Sequence, residues 1–273
     1  MISAIGAENE YANVLSQIGG RYVHVTSILN NPNTDPHAFE VSPRVAQEVS
    51  SAQLIVQNGL GYDTWLSRIE AASPNSSRKV IVAQHVLGLP GSTPNPHLWY
   101  SPATMPAVAK AMAADLSALQ PSHRGYFQAR LKAFATSLAP WRDAIAQFRA
   151  KYPGTTAAST EPVADYLLTA MGIRNLTPFR FQADIMNGVD PAPQDIALEN
   201  SLFAQHKVKV FAFNQQVTDT LTLSIKQNAI RAGVPVVGVY ETMPPGFSYQ
   251  SWMLAEVHAI AKAVVSKIST QKL

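Results

Sequence analysis

Four side chains of this sequence stand where a divalent cation could be held. His37 lies in Asn33-Thr34-Asp35-Pro36-His37-Ala38-Phe39-Glu40, and His97 in Asn95-Pro96-His97-Leu98-Trp99-Tyr100. Glu161 closes Ser159-Thr160-Glu161-Pro162, and Glu241 sits between Val239-Tyr240 and Thr242-Met243-Pro244-Pro245-Gly246. Imidazole supplies a borderline nitrogen and carboxylate a hard oxygen, a mixture that suits Zn2+, Mn2+ or Fe2+ better than Ca2+ or Mg2+. Each histidine follows a proline, whose fixed φ lowers the entropy cost of presenting a ligand. Spacing alone does not specify a site, because these residues are far apart in the chain, unlike the compact signatures of zinc fingers or helix-borne zinc proteases. A loop histidine is ordinarily just solvated. A carboxylate at a strand end often caps the next helix, and Glu161 before Pro162 also fits that role.

All four residues fall just after segments that read as strands, and open α/β sheets collect ligands at the carboxyl ends of their strands. In the first half the expected strands are Ile2–Ala7, Val23–Leu29, Leu54–Asn58 and Lys79–Ala83. Helices are expected at Tyr11–Ile18, Ser42–Ser50, Asp63–Ala72 and Pro102–Leu119. Thr155–Ser159, Val208–Phe213 and Val234–Tyr240 read as strands of the second half, with Phe179–Ala183 a weaker fourth. Val163–Met171, Ala192–Gln205, Thr218–Ala232 and Tyr249–Lys267 read as its helices. Asn214, Gln215 and Gln216 follow a strand and are placed to hydrogen-bond a ligand, as metal ligands generally require.

Between the halves, Phe127, Leu131, Phe134, Leu138, Trp141, Ile145, Phe148 and Tyr152 recur at steps of four and three. They form one stripe along a helix of about 26 residues, about 39 Å long. A coiled-coil seam has the same average spacing, but α/β segments on both flanks favour a connector packed along two lobes. Pro140 should kink it by removing a donor and crowding the Thr136 carbonyl, and Pro153-Gly154 ends it. The expected fold class is α/β. Two similar lobes, each a small, mainly parallel sheet flanked by helices, are joined by one long connector helix. The boundaries are 1–120, 121–153 and 154–273.

Composition narrows the function further. The 273 residues are 47% hydrophobic and 14% charged, with a net charge of +3 and no cysteine. Disulfides, thiolate metal sites and cysteine nucleophiles are thereby excluded. Basic residues are not massed with aromatics, so nucleic acid is not an expected partner. No stretch approaches 18 apolar residues, and the opening residues lack a basic segment followed by a long apolar one, so any export signal is absent from this sequence. Neither Gly-x-Ser-x-Gly nor Gly-x-x-x-x-Gly-Lys-Ser/Thr occurs, which leaves a serine hydrolase and an ATPase unsupported. A metal-dependent hydrolase on the same cluster is the rival reading; it needs an open coordination position and a general base. With all four groups used as ligands, an enzyme is not expected.

Asp35-Pro36-His37 with Phe39-Glu40 and Ser42-Pro43, followed by Asn58-Gly59-Leu60, resembles the first lobe of metal-binding solute-binding proteins of ABC transporters. This is the manganese/zinc/iron class whose lobes are linked by a single long helix. Asn95-Pro96-His97-Leu98-Trp99 is similar to the segment of the family's second histidine. Thr160-Glu161-Pro162 with Tyr166 and Gly172 falls on the third ligand position. Gly233-Val234-Pro235-Val236, then Gly238 and Glu241, falls on the fourth. The resemblance covers essentially the whole chain. It implies one divalent metal (Zn2+ or Mn2+, with Fe2+ possible) held in the interlobe cleft by His37, His97, Glu161 and Glu241. It also implies a periplasmic or cell-surface location, a monomer, and delivery to an ABC transporter permease in the inner membrane; a metal-stabilised surface adhesin stays open beside it.

Two departures from the family pattern bear on the metal. The third position is Glu161 where the zinc branch commonly has histidine, and the fourth is Glu241 where aspartate is usual. The segment before His97 also lacks the long His- and acid-rich loop of many high-affinity zinc members. These tilt towards manganese or iron, yet Zn2+ outcompetes Mn2+ at most nitrogen and oxygen sites, so zinc stays open. Protonation of the imidazoles and carboxylates should weaken binding as pH falls. Metal affinity measured between about pH 7.5 and 5 should drop steadily, since unperturbed histidine titrates near 6.5; a flat profile argues against these ligands.

Overall fold

The computed structural model describes every residue except Thr34, Asp35, His37 and Ala38. The chain divides into two compact units. The first comprises Met1–Asn31, Pro36–Ala139 and Gly246–Tyr249, and the second Pro32–Asp35, Pro140–Pro245 and Gln250–Leu273.

In the first unit four parallel strands, β1 (Ile2–Glu8), β2 (Val23–Leu29), β3 (Leu54–Gln57) and β4 (Lys79–Val82), lie in the order β2-β1-β3-β4. Ala4 is opposite both Val25 and Leu54, so β1 is a central strand. All of β3 is buried, as expected for a parallel strand covered on both faces. The cover comes from α1 (Asn9–Gly19), α2 (Pro43–Ser51), α3 (Thr64–Ala72), a short α4 (Ala83–Val86), α5 (Thr104–Leu119) and α6 (Arg124–Ser137). On one side Ile5, Ala7 and Ile55 of the sheet pack with Val49, Ala52 and Leu66. Ser42 opens α2 by accepting from Val45 N, with Pro43 in the first turn, where its missing N–H costs nothing.

The second unit repeats the plan. Its strands β5 (Thr156–Ser159), β6 (Arg174–Asn175), β7 (Val210–Asn214) and β8 (Val236–Val239) are parallel in the order β6-β5-β7-β8. The helices are α7 (Ala139–Lys151), α8 (Asp165–Ala170), α9 (Phe179–Met186), α10 (Pro193–Ala204), α11 (Thr220–Arg231) and α12 (Tyr249–Ser266). Phe181, Ile185, Leu202, Phe203, Phe211 and Phe213 anchor its core. In both sheets the chain runs from the first strand outward to the second and then crosses back to the third. That reversal opens a crevice at the carboxyl ends of the two central strands.

One expected strand is overturned. Phe179–Ala183 belongs to helix α9, and the fourth strand is the two-residue β6, paired only through Thr156–Arg174 and Ala157–Asn175. Pro178, extended at ψ 134°, starts the helix, and Phe181 and Ile185 at i and i+4 face inward while Phe179 stays exposed. The segment expected as one long connector helix forms two helices, α6 and α7, with one turn residue, Leu138, between them. The break stands where Pro140 cannot donate to the Thr136 carbonyl. Of the apolar stripe, Phe127, Phe134, Leu138, Trp141, Ile145 and Phe148 are buried. No helix among the described residues is long and apolar enough to cross a membrane.

Candidate functional site

In the second unit the carboxyl ends of β5, β7 and β8 lie side by side, because β7 pairs with both β5 and β8. Each end delivers one polar residue: Glu161 two residues beyond β5, Asn214 the last of β7, and Glu241 two beyond β8. All three are at most 1% exposed. The Asn214 amide nitrogen donates to Glu161 Oε1 at 3.0 Å and to Glu241 Oε1 at 2.7 Å. The two acceptor oxygens therefore lie within 5.7 Å of each other, the sum of those distances. One amide thus bridges the two carboxyl groups.

The bridge is itself held. Asn214 Oδ1 accepts from Gln216 N at 3.0 Å, which fixes which end of the amide faces the carboxylates. Asn214 N donates to Thr160 Oγ1, beside Glu161. Gln216 Oε1 accepts from the backbone N–H of both Glu241 and Thr242, and its amide nitrogen donates to Thr242 Oγ1. At the end of β5, Ser159 Oγ accepts from Asn175 and Gln182, and both amides also donate to Asp165. Glu161 is not a helix cap, since α8 begins at Asp165 with Ala164 before it. Of Asn214, Gln215 and Gln216, Asn214 bonds both carboxyl groups and Gln216 the backbone of Glu241.

In the first unit His97 is fully buried just before a 3-10 turn, Leu98–Tyr100. Asn95 Oδ1 accepts from His97 N at 3.0 Å and lies 2.8 Å from His97 Nδ1. An oxygen already accepting a backbone N–H can only accept from the ring, so Nδ1 carries the proton and Nε2 is the nitrogen able to bind a cation. The rings of Tyr62 and Trp99 pack edgewise on the imidazole, with centroids 5.9 and 5.4 Å away. Asn58 secures the loop by donating to Pro96 O at 2.8 Å, while its own Oδ1 accepts from the Tyr11 hydroxyl. Asp63 in turn accepts from the backbone N–H of Asn58 and Gly59. The turn between them runs left-handed through Gly59, Leu60 and Gly61, with φ of 85°, 54° and 83°. Glycine permits this freely, and Leu60 is secured by donating its N–H to Gln84 Oε1.

Sequence reading missed the buried acids beneath this loop, Glu8, Glu10 and Asp63. Burial pushes the Asp63 carboxyl up to about 6. It pushes Glu8 well above the usual carboxylate range, helped by the charges of Asp63 and Glu10. The one signal was Glu8-Asn9-Glu10 at the very end of the first expected strand. His37 lies outside the described residues; beyond it, Phe39 packs its ring on Trp65 at 4.7 Å. Among the described residues no group of three or more His, Asp or Glu is arranged to hold a cation; of the four candidate residues, Glu161 and Glu241 are brought together, through Asn214.

Comparison with known proteins follows the same lines. The family model described as ZnuA, zinc-uptake complex component A periplasmic, matches residues 7–263. The manganese ABC transporter substrate-binding lipoprotein PsaA of Streptococcus pneumoniae is 22% identical, over 96% of this chain and 89% of its own. Two solved structures share the fold. The periplasmic zinc binding protein TroA of Treponema pallidum has a TM-score of 0.80 at 17% identity, covering 98% of this chain and 99% of its own. FpvC of Pseudomonas aeruginosa in complex with Mn2+ has a TM-score of 0.79 at 21% identity, covering 97% and 99%.

Proposed function

Because the chain belongs to the ZnuA family, zinc-uptake complex component A periplasmic, we propose that it captures one divalent transition-metal ion and hands it to the permease of an ABC importer. His37, His97, Glu161 and Glu241 donate to that ion. The observation that carries this reading is the pair of buried carboxylates, Glu161 and Glu241, joined through one neutral amide. Two neighbouring buried carboxyl groups repel one another when both are charged, and a bound cation relieves that cost. His97, with Nδ1 committed to Asn95, supplies the borderline nitrogen. Support for a transition metal comes from this donor chemistry and from relatives whose names specify manganese and zinc. The cargo is Zn2+ or Mn2+, with Fe2+ in range.

The work is capture, not catalysis. All four groups are taken up by the ion, which leaves none to activate a water. The protein acts as a monomer in the periplasm or at the cell surface. Elemental analysis of protein purified without chelator tests the reading. About one equivalent of a divalent transition metal, retained or taken up on titration, is the expected result; no stoichiometric uptake of any such ion refutes it.

A further inference from the structure

β8 stands at the edge of its sheet, so part of its backbone faces away from β7. Pro235 O and Val239 O accept from Phe211 N and Gln215 N on the β7 side. The alternate residues, Val236 and Gly238, therefore turn their N–H and C=O groups outward. Such an edge needs cover, because buried backbone groups require partners. Here a later segment of the same chain supplies it. α12 ends at Ser266, and Lys267, left-handed at φ 55°, closes it. Thr270 then pairs in parallel with Val237. Its N–H donates to Val236 O at 3.0 Å and its carbonyl accepts from Gly238 N at 2.9 Å. Ser269 Oγ accepts from Val236 N at 3.0 Å. Leu273 N donates to the Tyr240 hydroxyl at 3.3 Å, one residue before Glu241.

Gly238 makes this approach possible. A Cβ there would stand 2.2 Å from the Gln271 carbonyl oxygen and 2.9 Å from Gln215 Nε2, so a side chain would push the segment off the strand. The strand so covered is the one that delivers Glu241. Gln216 holds Glu241 N from the β7 side, and residues 269–273 hold the other side at Val236, Gly238 and Tyr240. We propose that residues 269–273 are a strap that positions Glu241 for the metal ion, and that Gly238 is the residue that lets the strap close. This rests on the functional reading above, in which Glu241 donates to the ion. With the strap released, the outward groups of Val236 and Gly238 pass to water and the end of β8 is tied on one side only. Part of the binding free energy then goes into ordering that end, and affinity falls.

The test titrates Zn2+ and Mn2+ separately into the intact chain against chelators of known strength, well below each variant's melting midpoint. Gly238→Ala should weaken binding of the bound ion by about tenfold, the lower end of what outer partners of metal ligands cost, since the strap acts one step further out. Thr270→Pro removes the N–H given to Val236 O and should lose affinity to the same order. It also supplies the answer if the Gly238→Ala chain does not fold. Thr270→Ala keeps every backbone group and should bind like the wild type. Wild-type affinity in Gly238→Ala or in Thr270→Pro, whatever the melting midpoint, would make the strap a stability element only and overturn the proposal. A loss in Thr270→Ala as large as in Thr270→Pro would overturn it too, because the backbone would not be the part that matters. A wild type that binds neither ion sinks the functional reading instead, before any variant is compared.

Discussion

Replacing Glu161 or Glu241 by alanine is expected to weaken divalent metal binding by more than about a hundredfold. The estimate follows from outer partners of metal ligands, which typically cost ten- to a hundredfold when removed; a ligand itself should cost more. Each carboxylate brings charge as well as an oxygen, so Glu161→Gln and Glu241→Gln should fail nearly as badly as alanine although they preserve size. That outcome separates a metal ligand from a residue that only fills space. Because both carboxylates answer to one amide, removing one leaves Asn214 with an N–H that must find water or relax. Part of the loss will therefore be shared, and the double variant should cost less than the two single losses added together. Full affinity in either alanine variant, measured by chelator competition at pH 7.5, would remove that residue from the site.

The second large effect is on stability. Glu199 sits on α10 with its carboxyl fully buried, and burial pushes it up to about 8 from an ordinary 4.5. One turn earlier Asp195, equally buried, is paired with Arg180. Burial is the larger influence on Glu199, and a hydrogen bond from the Thr177 hydroxyl acts against it. Its folded-state value is raised, so the folded chain holds a proton that the unfolded chain has already released between about pH 4.5 and 8. Stability from this group is therefore fully present below about 4.5 and is lost as pH rises through about 8. Glu8 and Asp63, also raised, act in the same direction in the first unit. Glu199→Gln keeps the shape and removes the titration. It should leave the denaturant midpoint nearly unchanged at pH 4.5 and raise it at pH 8.5, by an amount worth at most roughly 3–5 kcal/mol. Midpoints of metal-free protein at the two pH values check this, and equal or lower stability of the variant at pH 8.5 contradicts it.

How much of this was legible in the sequence depended on the physical signal each feature leaves. Among the described residues, seven of the eight strands are short apolar runs bounded by polar turns, and their positions can be read to within a residue or two. β6 cannot, because two residues, Arg174 and Asn175, carry no periodicity. The segment that took its place, Phe179 to Ala183, alternates like a strand, but the inward residues are Phe181 and Ile185, a helical spacing. The Leu138 interruption was visible in advance because Pro140 acts locally. For the site, strand ends located Glu161, Asn214 and Glu241 in sequence. Only the strand order, with β7 between β5 and β8, puts them in contact. The buried acids Glu8, Glu10 and Asp63 left no comparable trace, since their burial comes from tertiary packing around β1 and the Asn58–Asp63 turn.

The central claim is that one divalent ion binds to two imidazoles and two carboxylates of this chain. Zinc K-edge absorption of the protein loaded with a single equivalent of Zn2+ tests it most directly, because imidazole rings give a distinctive outer-shell scattering pattern. The expected first shell is nitrogen and oxygen at about 2.0–2.1 Å with the signature of two imidazoles, reduced to one in His97→Ala. A shell of oxygen alone, or two imidazoles persisting in His97→Ala, would contradict it.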